Sequence, residues 1–363
     1  MLTDHPAAGL DAAALAAETD RLLDFGVNFP HPDGGSAWLG DAGQPDLGRP
    51  VFTYITARMA HVYALGVGLG RPEAARLTDA ALRGLTGRLH DTDHGGWFSA
   101  INPDGSLDDT KQCYAHAFVV LAAASASVAG RPGADELLVE ALALWQDRFF
   151  DTDAGMFVDA WDRTFTTLDP YRGANANMHA VEALLAAGDA TANPALHEQA
   201  LAIAERIVVE FAEPRQWRIP EHFTSAWEPM PEHHRDQPDH PFQPYGATVG
   251  HGLEWSRLLL HLEASRQTKT GGSAPAWLLP AAASLFDRAA ADGWFADGRP
   301  GFVYTTDWDG VPVVADRMHW VTAEAVSAAA ALYRRTGEPR FAEHARTWWE
   351  FAEDYHIDRA RGS

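Results

Sequence analysis

The sequence has a single cysteine, Cys113, in 363 residues. No intrachain disulfide can form, a reducing compartment is expected, and Cys113 itself reads as a small buried apolar residue. Positive charge is also scarce: 28 Lys and Arg stand against 50 Asp and Glu, a formal net charge of −22. That balance argues against nucleic acid and against anionic membrane surfaces as partners. It says little about substrate, because solvated acidic faces are common in soluble proteins. No stretch approaches the roughly 18 uninterrupted apolar residues of a membrane span. The segment from Met1 to Asp20 lacks the basic start and apolar centre of a signal peptide. The chain is therefore expected in the cytoplasm, as a monomer or homodimer. Chemical motifs are missing too. There is no HExxH and no CxxC, so no metal is expected. There is no phosphate loop, no GxGxxG after a strand and no GxSxG elbow, which disfavours nucleotide and serine-hydrolase chemistry.

What is abundant is histidine and tryptophan, 17 and 13 residues respectively, types suited to acid–base work and to stacking on sugars. The chain also repeats with a period of about 60 to 75 residues. A turn of Asp, Gly and an aromatic residue recurs at Asp91–Phe98 and Asp151–Phe157, with looser copies at Asp33–Trp38, Gln216–Arg218 and Asp292–Phe295. A further copy opens at Tyr355 and runs to Ser363. Between the turns, Ala- and Leu-rich runs carry apolar residues at three- and four-residue spacing, which argues helix over strand. The pattern predicts helices near residues 8–25, 52–69, 72–89, 110–129, 134–149, 172–187, 195–212, 246–264, 275–291, 318–335 and 338–355. Gly70-Arg71-Pro72, Gly130-Arg131-Pro132 and Gly337-Glu338-Pro339 each end one helix and start another. Only the aromatic turns leave room for short hairpins.

The odd-numbered helices carry more charge and are expected outside. The even-numbered ones open with polar or aromatic residues, continue as small-residue runs and are expected inside. Six such pairs closing on themselves would make an all-α (α/α)6 toroid, one domain over residues 1–363, with the polar helix starts lining one mouth. Eleven helices are legible, and six pairs need a twelfth.

The starts of the even helices hold the candidate chemistry. They offer Tyr54, Arg58 and His61; Tyr114 and His116; Asn175, Asn177, His179 and Glu182; His251, Glu254 and Trp255; Arg317, His319, Trp320 and Glu324. Asn175, His179 and Glu182 share one helical face. Glu254 lies three residues after His251, close enough to orient the imidazole, and Trp320 and Glu324 are four apart. A lone helix histidine is ordinarily a satisfied core or surface group, and His61 is read that way. What sets His179 and His251 apart is recurrence near the start of successive inner helices. The Pro-rich segment from Pro214 to Pro244, with His222, His233, His234 and His240, reads as a loop over the mouth, a candidate lid rather than a metal site.

At these residues the sequence resembles the N-acylglucosamine 2-epimerase superfamily, and its mannose and sulfoquinovose isomerase branch more than its epimerases. The resemblance lies in Phe52–Gly66, Tyr171–Ala183, Gly250–Trp255 and His319–Ala325, spanning nearly the whole chain. It implies an (α/α)6 barrel and cofactor-free isomerisation of a free monosaccharide. By position it implies a sugar site lined by Arg58, Asn175, His179, His251, Glu254 and Trp320, with His179 in ring opening and His251 one of two proton-transferring histidines. The other histidine of that pair belongs after a Gly-Ser-Trp-x-His-Glu stretch. This chain reaches Gly362-Ser363 where that stretch would begin, so it is expected to be incomplete at its C-terminus. The remaining candidates, Tyr54, Tyr114, His116, Trp255, His319 and Glu324, are expected to contact the sugar.

The chemistry expected is aldose–ketose isomerisation through a cis-enediol(ate), D-mannose to D-fructose being the favoured pair; imidazole suits it because its pKa lies near working pH. Three alternatives stay open. A 2-epimerase needs only proton return to the opposite face of C2. A glycoside hydrolase on the same barrel needs two carboxylates about one bond, for which Asp91, Asp93, Asp151 and Asp153 are available. A sugar-binding or scaffold protein needs no chemistry at all.

Overall fold

A computed structural model describes residues 10–267 and 274–363. Among the described residues it contains eleven α-helices: α1 (Ala12–Gly26), α2 (Thr53–Gly68), α3 (Ala74–Thr86), α4 (Cys113–Val128), α5 (Ala134–Phe149), α6 (Ala174–Thr191), α7 (Pro194–Glu205), α8 (Val249–Ser265), α9 (Leu278–Gly293), α10 (His319–Thr336) and α11 (Pro339–Tyr355). Each predicted span finds its helix. The predicted start of the first, at residue 8, lies outside the described residues. The span 195–212 divides, its last part being a π-helical turn over Arg206–Ala212.

The even helices start later than apolar periodicity suggests, for one physical reason. The two residues before each of α2, α4, α6 and α8 are a short strand. Val51–Phe52 pairs with Ala100–Ile101, and Lys111–Gln112 with Ala160–Trp161. Arg172–Gly173 pairs with His222–Phe223, and Ala247–Thr248 with Thr305–Thr306. The ladder satisfies backbone groups that the first helical turn leaves open, and it fixes where the helix begins.

The aromatic turns are built by their aspartates. Asp91 accepts the backbone N–H groups of Asp93 and His94, and Asp151 those of Asp153 and Ala154. Asp91 is also clasped by Lys111 and Arg163. The fourth residue of the next even helix then grips the turn. Thr56 accepts the N–H of Ser36, His116 that of Trp97, and Asn177 makes two bonds with the Phe157 backbone at 2.9 Å each. Gly96 permits the approach, since it holds φ +70° and a Cβ there would stand 2.7 Å from the His116 ring.

The chain divides into two compact units. One comprises the chain up to Glu18, Arg172–Asn175 and Leu201–Asp358; the other comprises Thr19–Tyr171, Ala176–Ala200 and Arg359–Ser363. Within the second, α2 packs on α4, α3 backs α2 and α5 backs α4. The first repeats this with α8 on α10, α9 behind α8 and α11 behind α10. Burial follows the same logic. Helix α4 is buried nearly all round, whereas α5 buries only the stripe Ala134, Leu137, Leu138, Ala141, Trp145 and Phe149. An all-round apolar helix must be covered on every side, and a striped one needs a single neighbour. No helix among the described residues is long and apolar enough to cross a membrane.

Candidate active site

Register organises the candidates. The second and sixth residues of each even helix lie four apart, on one face, while in α2, α4 and α6 the fourth turns toward the aromatic loop. In α2, α4, α6, α8 and α10 these second and sixth residues are Tyr54 and Arg58, Tyr114 and Phe118, Asn175 and His179, Gly250 and Glu254, and Trp320 and Glu324. Nine of the ten are polar or aromatic, which periodic core filling would not produce. Phe118 escaped the sequence reading, although its register marks it.

In the unit built on α2 and α4, the cluster is aromatic and cationic. Arg58 donates to the Tyr114 hydroxyl at 2.9 Å and lies over the Phe118 ring at 4.2 Å. Tyr54 meets Tyr114 ring to ring at 5.5 Å. His179 is boxed by Tyr114 and Phe118 at 5.1 and 4.7 Å, and its Nδ1 stands 3.3 Å from Glu182 on its own helix. His61 hydrogen-bonds Ser125 at 2.7 Å. Burial pushes its imidazole below the ordinary value, with the Glu182 charge opposing, so His61 is a satisfied interior group.

In the unit built on α8 and α10, the cluster is rich in carboxylates. His251 directs Nδ1 at Glu221 Oε1, 2.9 Å away. Burial by itself would lower this imidazole, but the charge and hydrogen bond of Glu221, with the charges of Glu254 and Glu324 behind, outweigh it and leave His251 above its ordinary value. The expected partner on the same helix, Glu254, thus contributes charge, while the bond comes from a residue thirty positions upstream. Nothing in the spacing announced Glu221. Glu324 is held by Arg257 through two bonds of 2.7 and 3.2 Å. Trp320 sets its ring 5.5 Å from His251 and 6.2 Å from Tyr304. At the start of α6, Asn175 keeps its Oδ1 shielded and without a hydrogen-bond partner.

Several expectations change. His116 is 0% exposed, with Nδ1 on the Gln112 carbonyl and Nε2 accepting from Trp97. Burial lowers it to about 3, so it stays neutral and its ring has no atom left for a sugar. Trp255, the seventh residue of α8, is likewise 0% exposed and presents no face to a ligand. Arg317 is spent on Asp297 and neighbouring carbonyls, whereas His319 stands exposed at the first position of α10, compatible with its expected contact to a sugar. Asp91 and Asp151 are committed to their turns, which weakens the glycosidase reading. Cys113 is buried against the Trp145 N–H, as anticipated.

In the Pro-rich segment the four imidazoles meet in sequence as tilted pairs, His222 with His233, His233 with His234 and His234 with His240, at 4.6, 4.0 and 4.5 Å. Their nitrogens serve the loop. His222 bonds Pro244, His233 and His234 bond Gln243, and His240 accepts the N–H groups of Phe242 and Gln243.

Known proteins resemble this chain over nearly its whole length. The family described as N-acylglucosamine 2-epimerase (GlcNAc 2-epimerase) matches residues 34–363. A D-mannose isomerase of Thermobifida fusca is 50% identical over 352 residues, 97% of this chain and 85% of that protein. A D-mannose isomerase of Pseudomonas cannabina pv. alisalensis is 45% identical, over 96% of this chain and 84% of that protein. A crystal structure of D-mannose isomerase superposes with a TM-score of 0.90 at 28% identity, covering 97% of this chain and 89% of that one. The fold class is the (α/α)6 barrel of these neighbours.

Proposed function

The chain belongs to the N-acylglucosamine 2-epimerase family, and from that footing we propose that it is a sugar isomerase interconverting D-mannose and D-fructose without a cofactor. The observation that carries the reading is His251, an imidazole held among carboxylates that raise it above its ordinary value. The two D-mannose isomerases at 50% and 45% identity support the choice of sugar.

The proposed chemistry begins with the open-chain aldose. Neutral His251 takes the C2 proton through the ring nitrogen not bonded to Glu221, and the electron pair moves into a C1–C2 double bond as O1 takes up negative charge. A proton passes from O2 to O1 across the resulting cis-enediol, and His251 returns its proton to C1, leaving the carbonyl at C2. One group can do both steps because an imidazole ordinarily titrates near working pH. We assign ring opening to His179, which Glu182 orients, and charge stabilisation at the oxyanion to Arg58. Asn175 holds a hydroxyl through its side-chain amide, and Trp320 supplies the apolar face for sugar C–H groups. Tyr54, Tyr114, Glu254 and Glu324 complete the polar surround.

Proton NMR of D-mannose in heavy water with the protein tests this. Deuterium at C1 of newly formed D-fructose is the expected result, and His251→Ala is expected to stop it. Deuterium confined to C2 of an aldose would replace the isomerase by a 2-epimerase. Hydrolysis of an aryl glycoside without hexose interconversion would remove both.

A further inference from the structure

Glu221 has a position that the proton-transfer reading does not by itself explain. It belongs to Arg218–Phe223, a stretch that begins as loop and becomes the strand His222–Phe223, and not to any of the helices that supply the other candidates. The backbone pins it. The N–H of Ala174, first residue of α6, donates to the Glu221 carbonyl, and the adjoining His222–Phe223 pairs with Arg172–Gly173. The following residue, His222, is tied in turn to the Pro244 carbonyl and lowered by burial to about 4, so it stays neutral and adds no competing cation. The side chain of Glu221 is only 4% exposed, and Oε1 lies 2.9 Å from His251 Nδ1. A buried carboxylate costs several kcal/mol unless it is hydrogen-bonded and paired, so this one has a strong preference for a donor opposite it.

We propose that Glu221 is a positioning residue for His251: it holds the proton of the neutral imidazole on Nδ1, leaves Nε2 as the basic atom, and favours the imidazolium once Nε2 has taken a proton. The proposal rests on the reading of His251 as the acid–base group. Chemistry separates Glu221 from the other charges that face this ring. Glu254, on the same helix, and Glu324, across on α10, raise the imidazole by charge alone, and Glu324 is partly neutralised by Arg257. Only Glu221 combines charge with a hydrogen bond to a defined ring nitrogen, and only that bond selects a tautomer. The remaining neighbour, Trp320, carries no charge.

The experiment compares wild type with Glu221→Gln, Glu221→Asp and His251→Ala, following C–H exchange of D-mannose in heavy water across pH. Glutamine keeps an acceptor of the same shape but loses the charge. It is expected to move the acid limb of kcat/KM downward by about one pH unit and to lower plateau kcat about tenfold, with KM changed less than about twofold. Aspartate keeps the charge and is expected to retain most of the limb. In the ligand-free protein, nitrogen-15 NMR of labelled histidine is expected to show His251 neutral with its proton on Nδ1, and titrating lower in Glu221→Gln; this readout needs no turnover and survives a poorly active variant. A wild-type pH profile in Glu221→Gln, or a neutral ring carrying its proton on Nε2, overturns the proposal while a dead His251→Ala leaves the acid–base reading standing. Exchange that persists in His251→Ala overturns both.

Discussion

The two imidazoles assigned to the reaction stand in opposite surroundings. His179 has rings of Tyr114 and Phe118 around it, and Arg58 lies over the same Phe118. Its carboxylate, Glu182, is three residues along its own helix. His251 has one aromatic neighbour, Trp320, and three carboxylates, of which the hydrogen-bonded one comes from a loop thirty residues upstream. An aromatic, cationic setting suits a group that hands protons between sugar oxygens. A carboxylate setting suits one that must strip a proton from carbon and so needs added basicity. The residue type is shared, and the surroundings decide the task.

The comparison can be broken at its strongest point first. His251→Ala is expected to reduce isomerisation about a thousandfold or more, measured as D-fructose formed from D-mannose, because removal of a general acid–base group costs roughly two to four orders of magnitude. His179→Ala is expected to cost about a hundredfold with the cyclic sugar, while deuterium exchange into the small open-chain fraction, followed by NMR, falls much less. Equal losses in the two assays would erase the distinction between the histidines. Arg58→Lys keeps the charge but not the planar donor fork that reaches the Tyr114 hydroxyl over Phe118, and an approximately tenfold fall in kcat is expected.

Smaller effects test the residues that the structure withdraws from the site. His116→Ala removes the acceptor for the buried Trp97 N–H and is expected to cost about 2 to 4 kcal/mol of stability in denaturant unfolding. His116→Asn, which installs the residue that grips the equivalent turn at Asn177, is expected to recover part of it with kcat unchanged. pH gives a further check. His116 and His222 titrate near 6.5 when unfolded and are held at about 3 and about 4 by burial. The unfolded chain therefore binds more protons below pH 6.5, and stability falls as pH drops from 6.5 toward 4, by about 1.4 kcal/mol per unit for each histidine well below 6.5. His251 acts with the opposite sign, since its folded value is raised: its contribution is full below pH 6.5 and disappears as pH rises through that folded value. A melting temperature flat between pH 6.5 and 4 would contradict the assignment of His116 and His222 as buried neutral groups.

The helices were legible because their signal is local. Apolar spacing located all eleven, and the Gly-x-Pro breaks marked the boundaries; Gly337, for example, caps α10 with its N–H on the Tyr333 carbonyl at φ +74°. Within a helix, pairs also read correctly, as Glu182 beside His179 shows. What failed was side-chain direction near the helix starts. His116 and Trp255 sit one or two residues from site positions and share their composition, yet the fourth position of α2, α4 and α6 belongs to the aromatic turn and the seventh of α8 to the core. The strands that delay the helix starts by one to three residues decide that phase, and two-residue strands have no periodicity to detect. Phe118 was missed for the converse reason, being an ordinary core residue by type and a site residue only by register.

The sequence alone determined the all-helical repeat, the inner and outer helix characters, the family and the chemical class, because each is carried by spacing within one element or by a motif within one short stretch. Tertiary structure alone decided that Glu221 serves His251, that Arg257 and not Trp320 holds Glu324, and that His116 belongs to a turn. Those pairings join groups 19 to 67 residues apart. Chain periodicity carries no information across such distances, whereas burial of a charge or an N–H compels a partner from wherever the fold can bring one.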